Sequence, residues 1–156
     1  MYSRRMVIGF LAVSLAGCGR RRKTAAARAP SDAPLYPNET PELRRLIKKY
    51  SAHYNIPEAL FHRLAVREST HRPWARNGPY YGLLQISVPT ARSMGFRGAP
   101  NDLLDAETNL IYAGKYLRGA WLLADGSFDE AVKWYSRGYY YEAKRRGLLK
   151  ETGLVQ

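Results

Sequence analysis

Apolar residues recur at helical spacing in four stretches of this chain, and each stretch ends at proline, glycine or Asx punctuation. Leu43, Leu46, Ile47 and Tyr50 form the first stripe, opened by Pro41 and Glu42 and broken at Asn55-Ile56. Leu60, Phe61, Leu64 and Ala65 form the second, restarted by Pro57 and Glu58. Leu110, Ala113, Gly114, Leu117 and Trp121 share one face of a longer helix that begins at Asp105 or Thr108. Ala131, Val132, Trp134 and Tyr135 follow Ser127, whose spacing to Glu130 is that of a capping box, and Gly138 ends them. Such 3.6-residue periodicity predicts amphipathic helices. Residues 71–81 carry Pro73, Asn77-Gly78 and Pro79 and read as loop,. Gly82 to Ser87 reads as a short strand or buried turn, Pro89 opens a short helix ending near Gly95, and Tyr139 to Arg146 forms a last basic helix. The expected fold class is mainly α, with at most a small β-hairpin.

All three Trp and ten of the twelve Tyr lie beyond residue 40. One domain is expected over residues 41–150, large enough for a single core. The lone cysteine, Cys18, excludes an internal disulfide,. His53, His62 and His71 show no metal-ligand spacing, so no metal is expected,. The net charge of +12 suits a polyanionic wall, a nucleic acid or an anionic membrane,.

The N-terminus reads Met1-Tyr2-Ser3-Arg4-Arg5, then apolar from Met6 to Ala16. This is the pattern of a secretory signal, too short to span a bilayer as a helix. Leu15-Ala16-Gly17-Cys18 resembles the bacterial lipoprotein cleavage box, with residues 1–17 as signal peptide and Cys18 as the lipidated first mature residue. Gly19 in place of Asp favours the outer membrane by the usual sorting rule of such lipoproteins. Residues 18–40, with Arg20-Arg21-Arg22-Lys23 and then Ala and Pro, carry no apolar periodicity and read as a linker,. The basic tetrad is either a headgroup contact or a solvated charge run.

Glu68 breaks the bland pattern. It stands two helical turns beyond Leu60, at the next position of an apolar stripe and near a helix C-terminus,. Desolvation and the helix dipole both raise a carboxyl pKa there, which suits a general acid. An ion pair with Arg63 or Arg67 is the alternative.

The neighbouring words decide between them. Ala65-Val66-Arg67-Glu68-Ser69, Gly78-Pro79-Tyr80-Tyr81-Gly82-Leu83-Leu84-Gln85-Ile86, Asn109-Leu110-Ile111-Tyr112-Ala113-Gly114 and Ala131-Val132-Lys133-Trp134-Tyr135-Ser136-Arg137-Gly138 occur in that order. From about residue 43 to 147 the chain resembles the catalytic domain of the soluble-type lytic transglycosylases, glycoside hydrolase family 23, related in fold to goose-type lysozyme. The resemblance implies a lysozyme-like domain in which Glu68 is the single catalytic acid and base. It implies that Ser69 and Gln85 line the cleft, that Tyr135 holds Glu68 by a hydrogen bond, and that Asn109 and Gly114 belong to the long-helix motif. Tyr80 and Tyr81 supply flat faces for sugar rings. The chain departs from the family where Leu84 replaces Met, where the Gly78–Gly82 turn is one residue longer, and where Ser136 and Arg137 replace Asn and Ala.

Asp102, Asp105 and Glu107 read as helix-capping groups rather than as a second catalytic carboxylate. The resemblance implies cleavage of the MurNAc–GlcNAc bond of peptidoglycan to 1,6-anhydro ends, with no cofactor. The expected partners are glycan strands and, through Cys18, the membrane. Secretion excludes nucleic acid, and an envelope-spanning assembly is left open as a partner. A non-catalytic wall-binding lipoprotein and a hydrolysing muramidase are the alternatives.

Overall fold

A computed structural model describes residues 33–155; the expected signal peptide, Cys18 and most of the expected linker lie outside these residues. The domain is mainly helical. Helix α1 (Pro41–Tyr54) is capped by Thr40, whose side chain accepts from Leu43 N. Helix α2 (Glu58–Ser69) follows after Asn55, which turns the chain through a left-handed conformation. Three two-residue strands, β1 (Arg76–Asn77), β2 (Tyr80–Tyr81) and β3 (Ile86–Ser87), form an antiparallel sheet in the order β1-β2-β3. This is one strand more than the expected hairpin, because Gly82 to Gln85 turns the chain back so that Ile86 pairs with Tyr81. Helix α3 (Val88–Ser93) and a 3₁₀ turn over Pro100–Leu104 lead into α4 (Ala106–Leu122). Helices α5 (Phe128–Arg137) and α6 (Tyr140–Arg145) complete the domain.

The caps explain the boundaries. Asp105 caps α4 by accepting from Thr108 N at 2.8 Å, and Ser127 caps α5 by accepting from Glu130 N,. Helix α4 is the central element, packed against α1 on one side and α5 on the other. Its fully buried Leu110, Ala113, Leu117 and Ala120 meet Leu43 and Ile47 of α1 and Leu60, Phe61 and Leu64 of α2 in one core. Gly114 permits the approach: a β-carbon there would lie 2.9 Å from the Tyr54 ring and 3.2 Å from Phe61. Glycine costs about 1 kcal/mol in a helix interior relative to alanine, and the close packing compensates.

Residues 33–40, read from sequence as linker, dock on the domain. The Tyr36 ring stacks on His62 (centroids 4.9 Å), within α2, and on His71 (4.7 Å), just beyond its end. Asn38 donates to Thr70 O at 3.0 Å. Glu39 is fully buried and takes both Arg44 nitrogens at 2.6 Å and the Tyr36 N–H at 2.9 Å. Burial alone would push the Glu39 carboxyl up, but these donors hold it below its ordinary value,. His62 Nδ1 and His71 Nε2 lie 3.0 Å apart, sharing one hydrogen bond. Burial lowers the pKa of both rings, His71 to about 4. No helix among the described residues is long and apolar enough to cross a membrane.

Candidate active site

Glu68 is the penultimate residue of α2. The helix ends in two successive left-handed residues, Thr70 and His71, whose amides return to Val66 O and Ala65 O,. This turn directs the chain away at once and leaves Glu68 beside a groove. The Glu68 side chain is 21% exposed, and Arg67 Nε lies 3.4 Å from Oε1. Burial pushes its carboxyl above the ordinary value, and the nearby Arg67 only partly opposes this,.

Two adjoining cavities, of about 290 and 240 Å³, share Tyr80, Gln85, Tyr135 and Ser136 and so form one groove. The first adds Arg67, Glu68 and Asn77; the second adds Ser87, Thr90, Tyr116, Arg137 and Gly138 among its lining. Glu68 is the one carboxylate lining either cavity. The other acids near the long helix are engaged elsewhere. Asp102 accepts from Ala99 N, Asp105 caps α4, and Glu107 takes Lys49 Nζ at 2.6 Å and Tyr50 OH at 3.0 Å.

Gln85 lies at the junction of the two cavities in a left-handed conformation, φ 49°, uncommon for a residue with a side chain,. Its amide nitrogen donates to Gly82 O at 2.8 Å and Ala75 O at 3.1 Å, which pins the side chain and spends its donors inside the loop. Its carbonyl oxygen remains as the group available to a ligand. Tyr80, 47% exposed, lines both cavities and gives the expected flat face.

Four expected contacts are placed differently. Ser69 is buried and donates to Leu83 O at 2.7 Å, so it ties the end of α2 to the glutamine loop rather than reaching the groove. Tyr81 is buried in the core, with Arg76 over its ring. Alternation along β2 turns it to the face opposite Tyr80. Asn109 is fully buried: its Oδ1 accepts from Leu84 N at 2.9 Å, and its Nδ2 donates to Tyr81 O and Leu103 O, both at 2.9 Å. Gly82 makes that fit possible, since a β-carbon there would come within 2.3 Å of Asn109 Nδ2 and its φ is 78°. Tyr135 borders Glu68 in the groove, but its hydroxyl donates to Leu84 O at 2.8 Å and not to the glutamate. Sequence reasoning missed Asn77 of β1, Ser87 of β3, Thr90 in the first turn of α3 and Arg137 at the end of α5, in short elements or at an element end where no apolar period marks a cleft-facing position.

Residues 45–147 match the transglycosylase SLT domain. The chain belongs to that family. Two curated relatives, each named membrane-bound lytic murein transglycosylase F, come from the Classical Ogawa and El Tor Inaba strains of Vibrio cholerae serotype O1. Each is 32% identical over 120 residues, covering 72% of this chain and 22% of the relative. The chain thus spans about a fifth of the length of the curated relatives it matches. No solved structure matches it. The SLT match takes in Glu68, Gln85, Asn109 and Tyr135, hence the groove and the buried bonds that shape it.

Proposed function

We propose that this chain is a peptidoglycan lytic transglycosylase that cleaves the β-1,4 bond between N-acetylmuramic acid and N-acetylglucosamine without consuming water. The observation that carries the reading is a single half-desolvated carboxylate in a groove lined by tyrosines and amide and hydroxyl groups. A two-carboxylate mechanism needs a second acid 5–10 Å away, and the groove lining offers none.

With one acid, the substrate supplies the remaining chemistry. Protonated Glu68 gives its proton to the glycosidic oxygen as the C1–O bond breaks. The carbonyl oxygen of the muramyl N-acetyl group bonds to C1 and stabilises the cationic centre. Ionised Glu68 then takes the proton from the muramyl 6-hydroxyl. O6 bonds to C1, the N-acetyl oxygen leaves, and a 1,6-anhydro end results with Glu68 again protonated. The upward shift of the Glu68 pKa by burial favours its acid form, the form a general acid needs,. Ser69, Asn109 and the Tyr135 hydroxyl act as positioning groups in this reading, and Gln85, Tyr80 and Ser136 meet the sugar.

The site in this reading works at the cell envelope, on glycan strands, with the protein held to the outer membrane by a lipid on Cys18 and facing the periplasm. The cleavage box in the sequence supports the anchor, and the membrane-bound relatives support envelope association. Mass spectrometry of purified peptidoglycan after digestion tests the chemistry. Anhydromuramyl ends are expected; reducing ends would identify a hydrolase, and intact glycan would leave a binding protein.

A further inference from the structure

The groove continues beyond Glu68 into the second cavity, whose lining includes Arg137 and several hydroxyl donors. Ser87 and Thr90 contribute hydroxyls that bond to one another at 2.8 Å, and the Tyr116 phenol also lines the wall. Burial pushes the Tyr116 phenol up to about 12, so it stays protonated. Arg137 is the last residue of α5 and is exposed, with its guanidinium 5.3 Å from the centroid of the half-buried Trp134 ring. None of the ion pairs among the described residues engages Arg137. This sets it apart from Arg44, Arg63, Arg145 and Arg146, each of which meets a carboxylate. A cation stacked on an aromatic ring is held in place without being neutralised, and a planar guanidinium matches a carboxylate in bidentate geometry.

We propose that this second cavity is a carboxylate subsite in which Arg137 recognises an acidic group borne by the next muramyl residue along the strand, one N-acetylglucosamine away from the reacting one. The inference rests on the glycan reading given above. A muramyl residue carries a carboxyl either directly on its lactyl ether or, when a peptide is attached there, on that peptide. Both sources share the chemistry that Arg137 fits. A neutral N-acetylglucosamine residue lacks it, so Arg137 would set the register of the strand as well as adding affinity. The Ser87, Thr90 and Tyr116 hydroxyls line the same cavity and supply further donors there.

The test uses the full chain and three glycan oligomers of equal length. One has free lactyl carboxyls, one has those carboxyls converted to methylamides, and one carries peptides. Wild type, Arg137→Gln and Arg137→Lys are compared by KM and kcat for release of anhydro ends. The ratio of kcat/KM on the preferred carboxylate-bearing glycan to that on the methylamide is expected to fall about 10-fold in Arg137→Gln, through KM, from loss of a charge-assisted pair. Arg137→Lys should recover part of the ratio, and added salt should lower the ratio in wild type but not in Arg137→Gln. Whether the lactyl or the peptide-bearing oligomer shows the larger ratio names the source of the carboxylate. An unchanged ratio in Arg137→Gln overturns the subsite. If wild type cleaves no oligomer, the transglycosylase reading fails. Calorimetric affinities of wild type and Arg137→Gln for the same three sugars then decide the subsite on their own, equal preference in both proteins counting against it.

Discussion

Leu84 has both of its backbone polar groups held by side chains from two different helices: its carbonyl accepts from Tyr135 OH of α5 at 2.8 Å, and its amide donates to Asn109 Oδ1 of α4 at 2.9 Å. The next residue is Gln85. The glutamine loop therefore owes its shape to buried bonds reaching in from two helices of the core. Tyr135→Phe keeps the ring but leaves a buried carbonyl unpaired, a loss of about 1–3 kcal/mol. Urea unfolding should register that loss, together with a fall in turnover on peptidoglycan. A variant with wild-type stability would mean that the Leu84 carbonyl finds water.

Asn109→Ala should be more damaging than Tyr135→Phe. It removes the acceptor for Leu84 N and the donor for Tyr81 O and Leu103 O at a site with no exposure. A destabilisation of about 3 kcal/mol or more is expected. Asn109→Asp should not rescue it, because the carboxylate lacks both donors. Chemical denaturation of the pair of variants checks this.

Glu68→Gln should lower lytic activity by at least about 100-fold, since the amide cannot cycle a proton. It should also stabilise the fold at neutral pH. Burial raises the folded-state pKa of Glu68 above the ordinary 4.5, so the folded protein binds more protons than the unfolded chain between those two values. The penalty is complete above the folded pKa and vanishes as pH falls below 4.5,. Thermal melting of both proteins from pH 4 to 8 should show a gain for the variant that disappears on acidification.

His71 should act in the opposite sense. Its folded pKa is lowered from 6.5 to about 4 by burial first and by His62 second. The unfolded chain therefore binds the extra proton in this window, and stability is complete above 6.5 and falls as pH drops toward 4,. The shift corresponds to a loss of about 3 kcal/mol at the acid end. His62 is lowered in the same direction by burial, and the two facing rings titrate as a pair,. His71→Asn, which tolerates the left-handed backbone at that position, should be less stable at pH 7 and show a flatter acid limb. An unchanged limb would assign acid sensitivity to other groups.

The helices were legible because their apolar stripes and caps are local: Pro41, Asp105, Ser127 and Gly138 stand at or beside the ends the structure shows. Glu68 was legible as a carboxylate on an apolar stripe. What escaped the sequence is the direction of side chains at turns. Ser69, Tyr81 and Asn109 belong to the right words but point into the protein, because the turn made possible by Gly82 depends on contacts 20 or more residues away. The docking of Tyr36 and Glu39 escaped for a different reason. A stacked ring and one buried ion pair with Arg44 hold that segment, and neither leaves a periodic signature.

That docked segment also fixes how the domain bears load. The chain that precedes residue 33 joins the domain through Tyr36, Asn38 and Glu39, whose contacts on α2 and its terminal turn are His62, His71 and Thr70. A pull applied to the chain ahead of residue 33 would be felt first across those stacked rings, on the helix that carries Glu68 and its terminal turn, and only afterwards at the start of α1. The segment ahead of α1 and the Glu68 carboxyl thus lean on the same helix, and a chain trimmed to Pro41 would lose the contacts of Tyr36, Asn38 and Glu39 with it.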